Sequence, residues 1–416
     1  MRRILIFLTV MGPGLISAAA GNDAGGIATY TTVGAAFGYR LLWLLFFLTF
    51  SLVMVQEMAA RMGAVTGKGL SDLIREQFGV RWTLLAMLSL LAASTATAVA
   101  EFAGIAASLE VLTQELPFPL HLFTWRWVSV PTFALLTWLL VIKGSYRAIE
   151  RIFLLISTAF LAYVAAALLA RPDWGQVFHT MFVPSQAWYS PDPAWSRLAI
   201  ATAGTTVAPW MQFYLQSSMV EKGVTPTQYP LARVDVVTGA LAANLVAFFI
   251  IVVAAVKLQG MPVADAAAAA RALEPVAGAQ AKYLFAFGLF GASMLGASVL
   301  PLSTAYAISE AFGWQSGVGE RLSEAPRFFA LFTLIIIVGA GLVLVPGVEL
   351  VPIMVFSQVI NGTLLPLTLV FMLLLVNNKR LLGRYVNGPF YNLVVWATVA
   401  LLTGLVVLML ARMVTG

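Results

Sequence analysis

The chain has 416 residues, 61% of them hydrophobic and only 10% charged, with a mean hydropathy of +0.92; soluble domains carry about 25% charged residues, so this composition belongs to a polytopic membrane protein and excludes a water-soluble globule. There is no cysteine and only two histidines, His121 and His179, both in stretches between apolar runs, which removes disulfides, thiolate metal centres and histidine-based catalysis from consideration. A formal charge of +6 is read here as basic residues on cytoplasmic loops rather than as a nucleic-acid surface.

In chain order, MRRILIFLTV has the basic start and apolar core of a secretory signal. The apolar pattern resumes beyond SAAAG and runs to Phe37, so the stretch 5–36 is read as an uncleaved first helix. A helix needs about 20 apolar residues to cross the hydrocarbon core. On that criterion further spans fall at 41–61, 82–112, 127–143, 149–170, 196–221, 231–258, 280–310, 327–345, 350–376 and 391–412. With the N-terminus inside, roughly two-thirds of the 24 Lys and Arg lie on the inner side, the bias expected of cytoplasmic loops in a cell-membrane protein. Glu57 and Arg61 stand four apart at the inner end of the second span and are expected to pair.

Two spans look interrupted. The first carries AGNDAGGIATY, residues 20–30, with an ionisable Asp23 beside Gly25 and Gly26. A carboxylate at the bilayer centre costs about 2.5–3.5 kcal/mol on insertion scales and marks a functional site by default. The sixth span carries AGTTVAPWMQF, in which Pro209 removes a backbone donor and clashes with the preceding turn. Breaks at corresponding positions of two five-helix halves point to an inverted-repeat transporter with its substrate site at the midplane. The plainer alternative is close glycine packing in the first span and an ordinary proline kink in the sixth. A LeuT-like carrier of small organic solutes is a rival reading; an intramembrane enzyme is not favoured, because neither H-E-x-x-H nor G-x-S-x-G occurs.

These residues resemble the Nramp divalent-metal transporters. GPGLISAAAGNDAGG is similar to the family's first helix, with Asp23-Ala24-Gly25-Gly26 standing where the family has Asp-Pro-Gly-Asn. QEMAARMGAVTGKGLSD, from Gln56 to Asp72, is the most specific match, and AEFAG (100–104), GSYRAIER (144–151), GTTVAPW (204–210) and SQVINGTLLP (357–366) follow in order. The resemblance implies an all-α LeuT-like fold: two inverted five-helix repeats, about 1–170 and 196–376, plus an eleventh helix, in one transmembrane domain with helices 1 and 6 broken. Asp23 would anchor a divalent cation, with backbone carbonyls of Ala20 and Thr205 as further ligands; capping of the following half-helix is the other role open to Asp23.

The departures point to one branch. The family's Asn and Met ligands are Gly26 and Ala208 here, and its helix-6 His is Trp210. Loss of the soft thioether favours hard ions, and the smaller side chains are expected to widen the cavity for Mg²⁺, which keeps several waters. This resembles the Nramp-related magnesium transporters, implying uptake of largely hydrated Mg²⁺, and also Mn²⁺, without proton coupling; proton-coupled transport of Mn²⁺ is the alternative. Ala98, where the family carries an Asp, agrees with lost coupling. Glu101 is a remnant proton site or part of a buried polar network. Gln358 and Asn361 share a helix face and contact the hydration shell or tie helices together. Trp210 walls the cavity or is packed with its indole N–H on a carbonyl. The metal is cargo, no cofactor is expected, the partners are the cation and the bilayer, and oligomeric state is not encoded in any motif.

Overall fold

The computed structural model describes residues 20–142, 158–184, 188–317 and 320–415. The stretch 5–19 of the first predicted span, the start of the fifth and the GSYRAIER segment lie outside the described residues. Among those described, seven helices are long and apolar enough to cross a membrane.

The described part of the first predicted span holds α1 (Ala24–Phe37), followed by α2 (Leu42–Thr66), a short surface helix α3 (Leu70–Phe78), α4 (Val80–Thr113), α5 (Arg126–Ile142), α6 (Ala162–Leu169) and α7 (Trp174–Phe182). The second half starts as two pieces, α8 (Pro193–Thr206) and α9 (Pro209–Glu221), then α10 (Tyr229–Lys257), α11 (Ala281–Phe312), α12 (Pro326–Val343), α13 (Leu350–Val376) and α14 (Pro389–Thr415). The predicted 196–221 span is thus broken where Pro209 stands. The helices α3 and α7 escaped the hydropathy reading because they are short and amphipathic, lying against the bundle rather than crossing it.

The two halves echo each other. The second, third and fourth spans are 25, 34 and 17 residues long in the first half, and their counterparts 29, 32 and 18 in the second. Contacts exchange in the same way: α1 packs on α10, while α9 packs on α2, and α4 and α11 form the central pair with α13 and α12 against α4. Both exchanged contacts rest on a glycine. A Cβ on Gly34 of α1 would stand 2.5 Å from the Ile251 carbonyl of α10, and one on Gly63 of α2 would stand 2.9 Å from the Gln216 carbonyl of α9. Lipid tails are as apolar as leucine, so membrane helices associate by such close backbone approach. Ala98 belongs to this packing. Its Cβ lies 2.9 Å from where one on Gly339 would be, and a carboxylate there would be driven into α12.

The loops assigned to the inner side gather at one end. Arg61 pairs with Glu57 at 3.1 Å, as the spacing predicts, and donates to the Tyr385 carbonyl at 2.8 Å. Arg75 donates to the Ala311 carbonyl at 2.7 Å, and Asn378 to Gln77 at 3.1 Å.

Backbone meets backbone most closely, among the described glycines, between α8 and α13. A Cβ on Gly204 would meet the Gln358 carbonyl and the Gly362 amide, and one on Gly362 would meet the Ile200 carbonyl. Backbone cannot yield as a side chain can, so Gly204→Ala is expected to destabilise by about 1–3 kcal/mol, the cost of an overpacked core. Gly341→Ala, where a Cβ meets nothing within 4 Å, should be neutral or slightly stabilising. Thermal unfolding of the two variants in detergent checks the difference; equal midpoints would mean that α8 and α13 are not held by backbone contact.

Candidate metal site

The site is built by two interruptions that face each other. Asp23 has extended backbone, φ −70° and ψ −178°, and its Oδ1 accepts the Gly26 N–H at 2.6 Å, which caps α1. Capping and ion binding are compatible, because a carboxylate offers about four lone-pair sites. In the other interruption Val207 and Ala208 leave helical geometry between α8 and α9. The carbonyl of Thr205 would ordinarily bond the N–H four residues on, but that residue is Pro209, so this carbonyl is released from the ladder. The two breaks are tied by Tyr30 and Thr206, whose hydroxyls lie 2.9 Å apart, and by the Thr205 hydroxyl, which donates to the Gly21 carbonyl at 3.4 Å.

These oxygens converge on Gly26. A Cβ there would stand 2.7 Å from Thr205 Oγ1, 2.8 Å from the Gly21 carbonyl and 3.3 Å from Asp23 Oδ1. The glycine therefore does not widen the site; it lets a carboxylate, a hydroxyl and a carbonyl close on one point. The adjoining cleft, lined by residues including Gly21, Thr205, Gln56 and Met211, has free room for about one water-sized body. Among the described residues Gly26 does not open the cavity expected to hold a largely hydrated ion, because Gly21 and Thr205 close in where the missing side chain would have been.

Glu101 comes from α4 to the same place. It is wholly buried beside Asp23 and the Ala24 peptide, and among the described residues neither carboxyl oxygen has a partner in hydrogen-bond geometry. A Cβ on Gly296 would stand 2.6 Å from its carboxyl carbon, so α11 closes over it. Two carboxylates enclosed together need a positive charge between them, supplied by a metal cation or a proton.

The other expected residues are placed differently. Gln358 Oε1 accepts from Asn361 Nδ2 at 2.9 Å, and the same Nδ2 reaches Thr97 Oγ1 at 2.7 Å. Asn361 therefore ties α13 to α4. The Gln358 amide nitrogen packs against Gly25, without a hydrogen-bond partner. Ala208 does not line the cleft; its carbonyl accepts the Met211 N–H at 3.2 Å. Trp210 does not line the cleft; of its two expected roles, cavity wall or packing, it is wholly buried against Tyr214, ring centres 6.3 Å apart, and among the described residues its indole N–H has no hydrogen-bond partner. Ala20 lies in a 3-10 turn, Ala20–Asn22, in which the neighbouring Gly21 is the residue whose carbonyl meets Thr205. Gly21, Tyr30, Gln56 and Met211 were not anticipated. Gly21 contributes only backbone, which no residue pattern reveals, whereas Met211 stands three residues past Ala208 and was open to a helical count.

The sequence profile of the Nramp family, described as natural resistance-associated macrophage protein-like, matches residues 14–412. The chain belongs to the Nramp family. Within it, the divalent metal cation transporter MntH of Deinococcus radiodurans is 30% identical over 419 residues, covering 97% of this chain and 89% of that protein. MntH of Bacillus subtilis is 26% identical over 409 residues, covering 96% and 91%. Among solved structures, a manganese transporter mutant of Eremococcus coleocola superposes with a TM-score of 0.74 at 21% identity, over 96% of this chain and 85% of that one. MhsT in complex with L-phenylalanine superposes at 0.59 and 17% identity over 96% and 97%. The fold is LeuT-like, an integral membrane architecture of two inverted five-helix repeats and an eleventh helix.

Asn caps a helix about as well as Asp, so Asp23→Asn separates the charge from the cap. This Nramp chain with Asn at 23 is expected to keep its melting temperature within a few degrees and to lose divalent-ion binding by more than about tenfold. Gly26→Ala should impair binding as well, since its Cβ would force Thr205 and Gly21 apart. Calorimetric titration with Mn²⁺ beside thermal unfolding reads both effects; unchanged affinity in Asp23→Asn would remove Asp23 from the site.

Proposed function

We propose that this chain carries divalent cations across a membrane by alternating access, and that Mn²⁺ is its principal cargo. The observation that carries this reading is the convergence of Asp23 Oδ1, Thr205 Oγ1 and the Gly21 carbonyl at Gly26, between two half-helices that can rock against the α4–α11 scaffold. The printed names of the relatives, divalent metal cation transporters and a manganese transporter, support the class of cargo. The lack of space for a hydration shell also favours an ion that exchanges water for protein ligands, because Mg²⁺ gives up its waters reluctantly. Asp23, Gly21 and Thr205 are assigned as ligands, with the freed Thr205 carbonyl and Ala20 available as the breaks open. Glu101 supplies the second charge of the enclosed pair. Gly26 is the point of closure rather than a ligand, and Gln358 with Asn361 braces α13 against α4.

In this reading the N-terminus is cytoplasmic, which places the Arg61 and Arg75 clusters inside, and the cell membrane is the site of action. A divalent ion entering an inside-negative cell gains about 4.6 kcal/mol per 100 mV, twice the value for one elementary charge.

A second reading, uncoupled transport of Mg²⁺, retains support from one observation: neither Gly26 nor Ala208 brings a donor side chain, and Trp210 cannot take up a proton as a histidine does. Uptake into proteoliposomes distinguishes the two. Mn²⁺ should enter wild-type vesicles, with a tenfold excess of Mg²⁺ competing weakly, and the interior should acidify in proportion. Entry of Mg²⁺ at rates equal to Mn²⁺, with internal pH constant, would reverse the assignment in favour of the second reading.

A further inference from the structure

The connection between the last two spanning helices is strongly basic. α13 ends at Val376 and α14 begins at Pro389, both long and apolar enough to cross a membrane, so residues 377–388 lie at a membrane surface. The segment exposes Lys379, Arg380 and Arg384, and no acidic residue follows Glu349 in the chain. Arg233, exposed near the start of α10, reaches the same place by donating to the Tyr391 hydroxyl at 3.1 Å. Arg384 donates to the Tyr385 hydroxyl at 3.2 Å, its guanidinium 5.2 Å from that ring's centre. Arg61 links the two tyrosines, lying 5.6 Å from the Tyr391 ring centre while donating to the Tyr385 carbonyl at 2.8 Å. Glu57 lies close enough to feel the charge of Arg233 but is held by Arg61 at 3.1 Å, and Asp235 is buried. Among the described residues no carboxylate pairs with Arg233, Lys379, Arg380 or Arg384. Beside these charges α14, the least buried of the seven spanning helices, turns an apolar strip outward. Its Phe390, Leu393 and Trp396, three residues apart on one helix face, are 63%, 67% and 44% exposed.

We propose that Arg233 and Arg384, with Lys379 and Arg380 as supporting charge, form a headgroup site for an anionic phospholipid whose acyl chain lies along Phe390, Leu393 and Trp396. Basic residues next to a spanning helix attract anionic lipid, and a guanidinium grips a phosphate through two parallel hydrogen bonds. The tyrosine hydroxyls orient both guanidinium groups beforehand, so little side-chain freedom is lost on binding. A soluble phosphate would use the charges and leave the apolar strip uncovered; a phospholipid uses both. Its headgroup bridges α10 to the segment before α14, and α10 is the helix that packs on α1 and receives the Asn22 amide on its Ala243 carbonyl. The lipid thus steadies a neighbour of the first break from the membrane surface. The inference goes beyond the transport reading and does not depend on which ion is carried.

The experiment titrates the full chain in detergent with phosphatidylglycerol, with zwitterionic phosphatidylcholine and with glycerol 3-phosphate, reading bound lipid by native mass spectrometry and stability by thermal unfolding. Phosphatidylglycerol is expected to bind and to raise the melting temperature by several degrees, with little effect from the other two. In Arg233→Gln/Arg384→Gln its affinity should fall by about tenfold or more. Lys257→Gln/Arg271→Gln, which removes the same charge from exposed positions beyond the opposite end of α10, should bind it as the wild type does. A photo-crosslinking phosphatidylglycerol should label residues 384–396 of the wild type, a readout that does not depend on how a variant folds. Equal binding of the two lipids, binding that survives the arginine pair or falls equally in the control pair, or labelling elsewhere would each overturn the site. Glycerol 3-phosphate acting as strongly as the lipid would replace it with a plain anion site.

Discussion

Inside a bilayer a peptide group without a partner has no water to turn to, and each one left unpaired costs several kcal/mol. A chain that interrupts two of its helices at the midplane must therefore satisfy, or put to use, the carbonyls and amides it releases. Asp23 answers this on one side by taking the Gly26 amide, and Thr205 and Thr206 answer it on the other by reaching Gly21 and Tyr30. What remains among the described residues is a small group of oxygens with no basic side chain beside them, a setting that favours a cation.

Such a break survives only if the rest of the bundle is stiff. The scaffold around it is assembled by backbone approach at glycines, with α8 on α13 through Gly204 and Gly362 and α4 against α1 and α11 through Gly104. Side chains at these contacts would leave slack in which the breaks could refold into continuous helix. Polar ties add direction: Asn361 to Thr97 fixes α13 on α4, and Asn22 to the Ala243 carbonyl at 3.1 Å fixes the first break on α10. One end of the bundle is held separately by Arg61, whose guanidinium joins α2 to the segment before α14. This leaves the elements carrying the site anchored by contacts that do not pass through the ion.

The enclosed pair of Asp23 and Glu101 gives the site its electrical character. Glu101 is wholly buried, with no basic group beside its carboxylate among the described residues, a costly arrangement unless a positive charge joins it. In the proposed transport cycle a divalent ion satisfies the pair, and its departure leaves a demand that a proton or water must meet. Trp210 and Ala98 take no part in that balance, the first packed on Tyr214 and the second wedged against α12.

Much of this molecule was legible without coordinates. Apolar runs located the long helices to within a few residues, since burial in lipid demands about 20 apolar residues whatever the partners. Asp23 and Pro209 announced the two breaks, because the cost of a buried charge and the missing amide of proline are properties of the residues themselves. Tertiary structure alone decided what the breaks enclose. Gly26 and Ala208 read as vacated space, yet Gly21 and Thr205 closed over the one, and the other does not line the cleft, where Met211 stands. Packing distances between helices far apart in the chain set those outcomes. A one-dimensional pattern records which side chains are missing but not which neighbours move in to replace them.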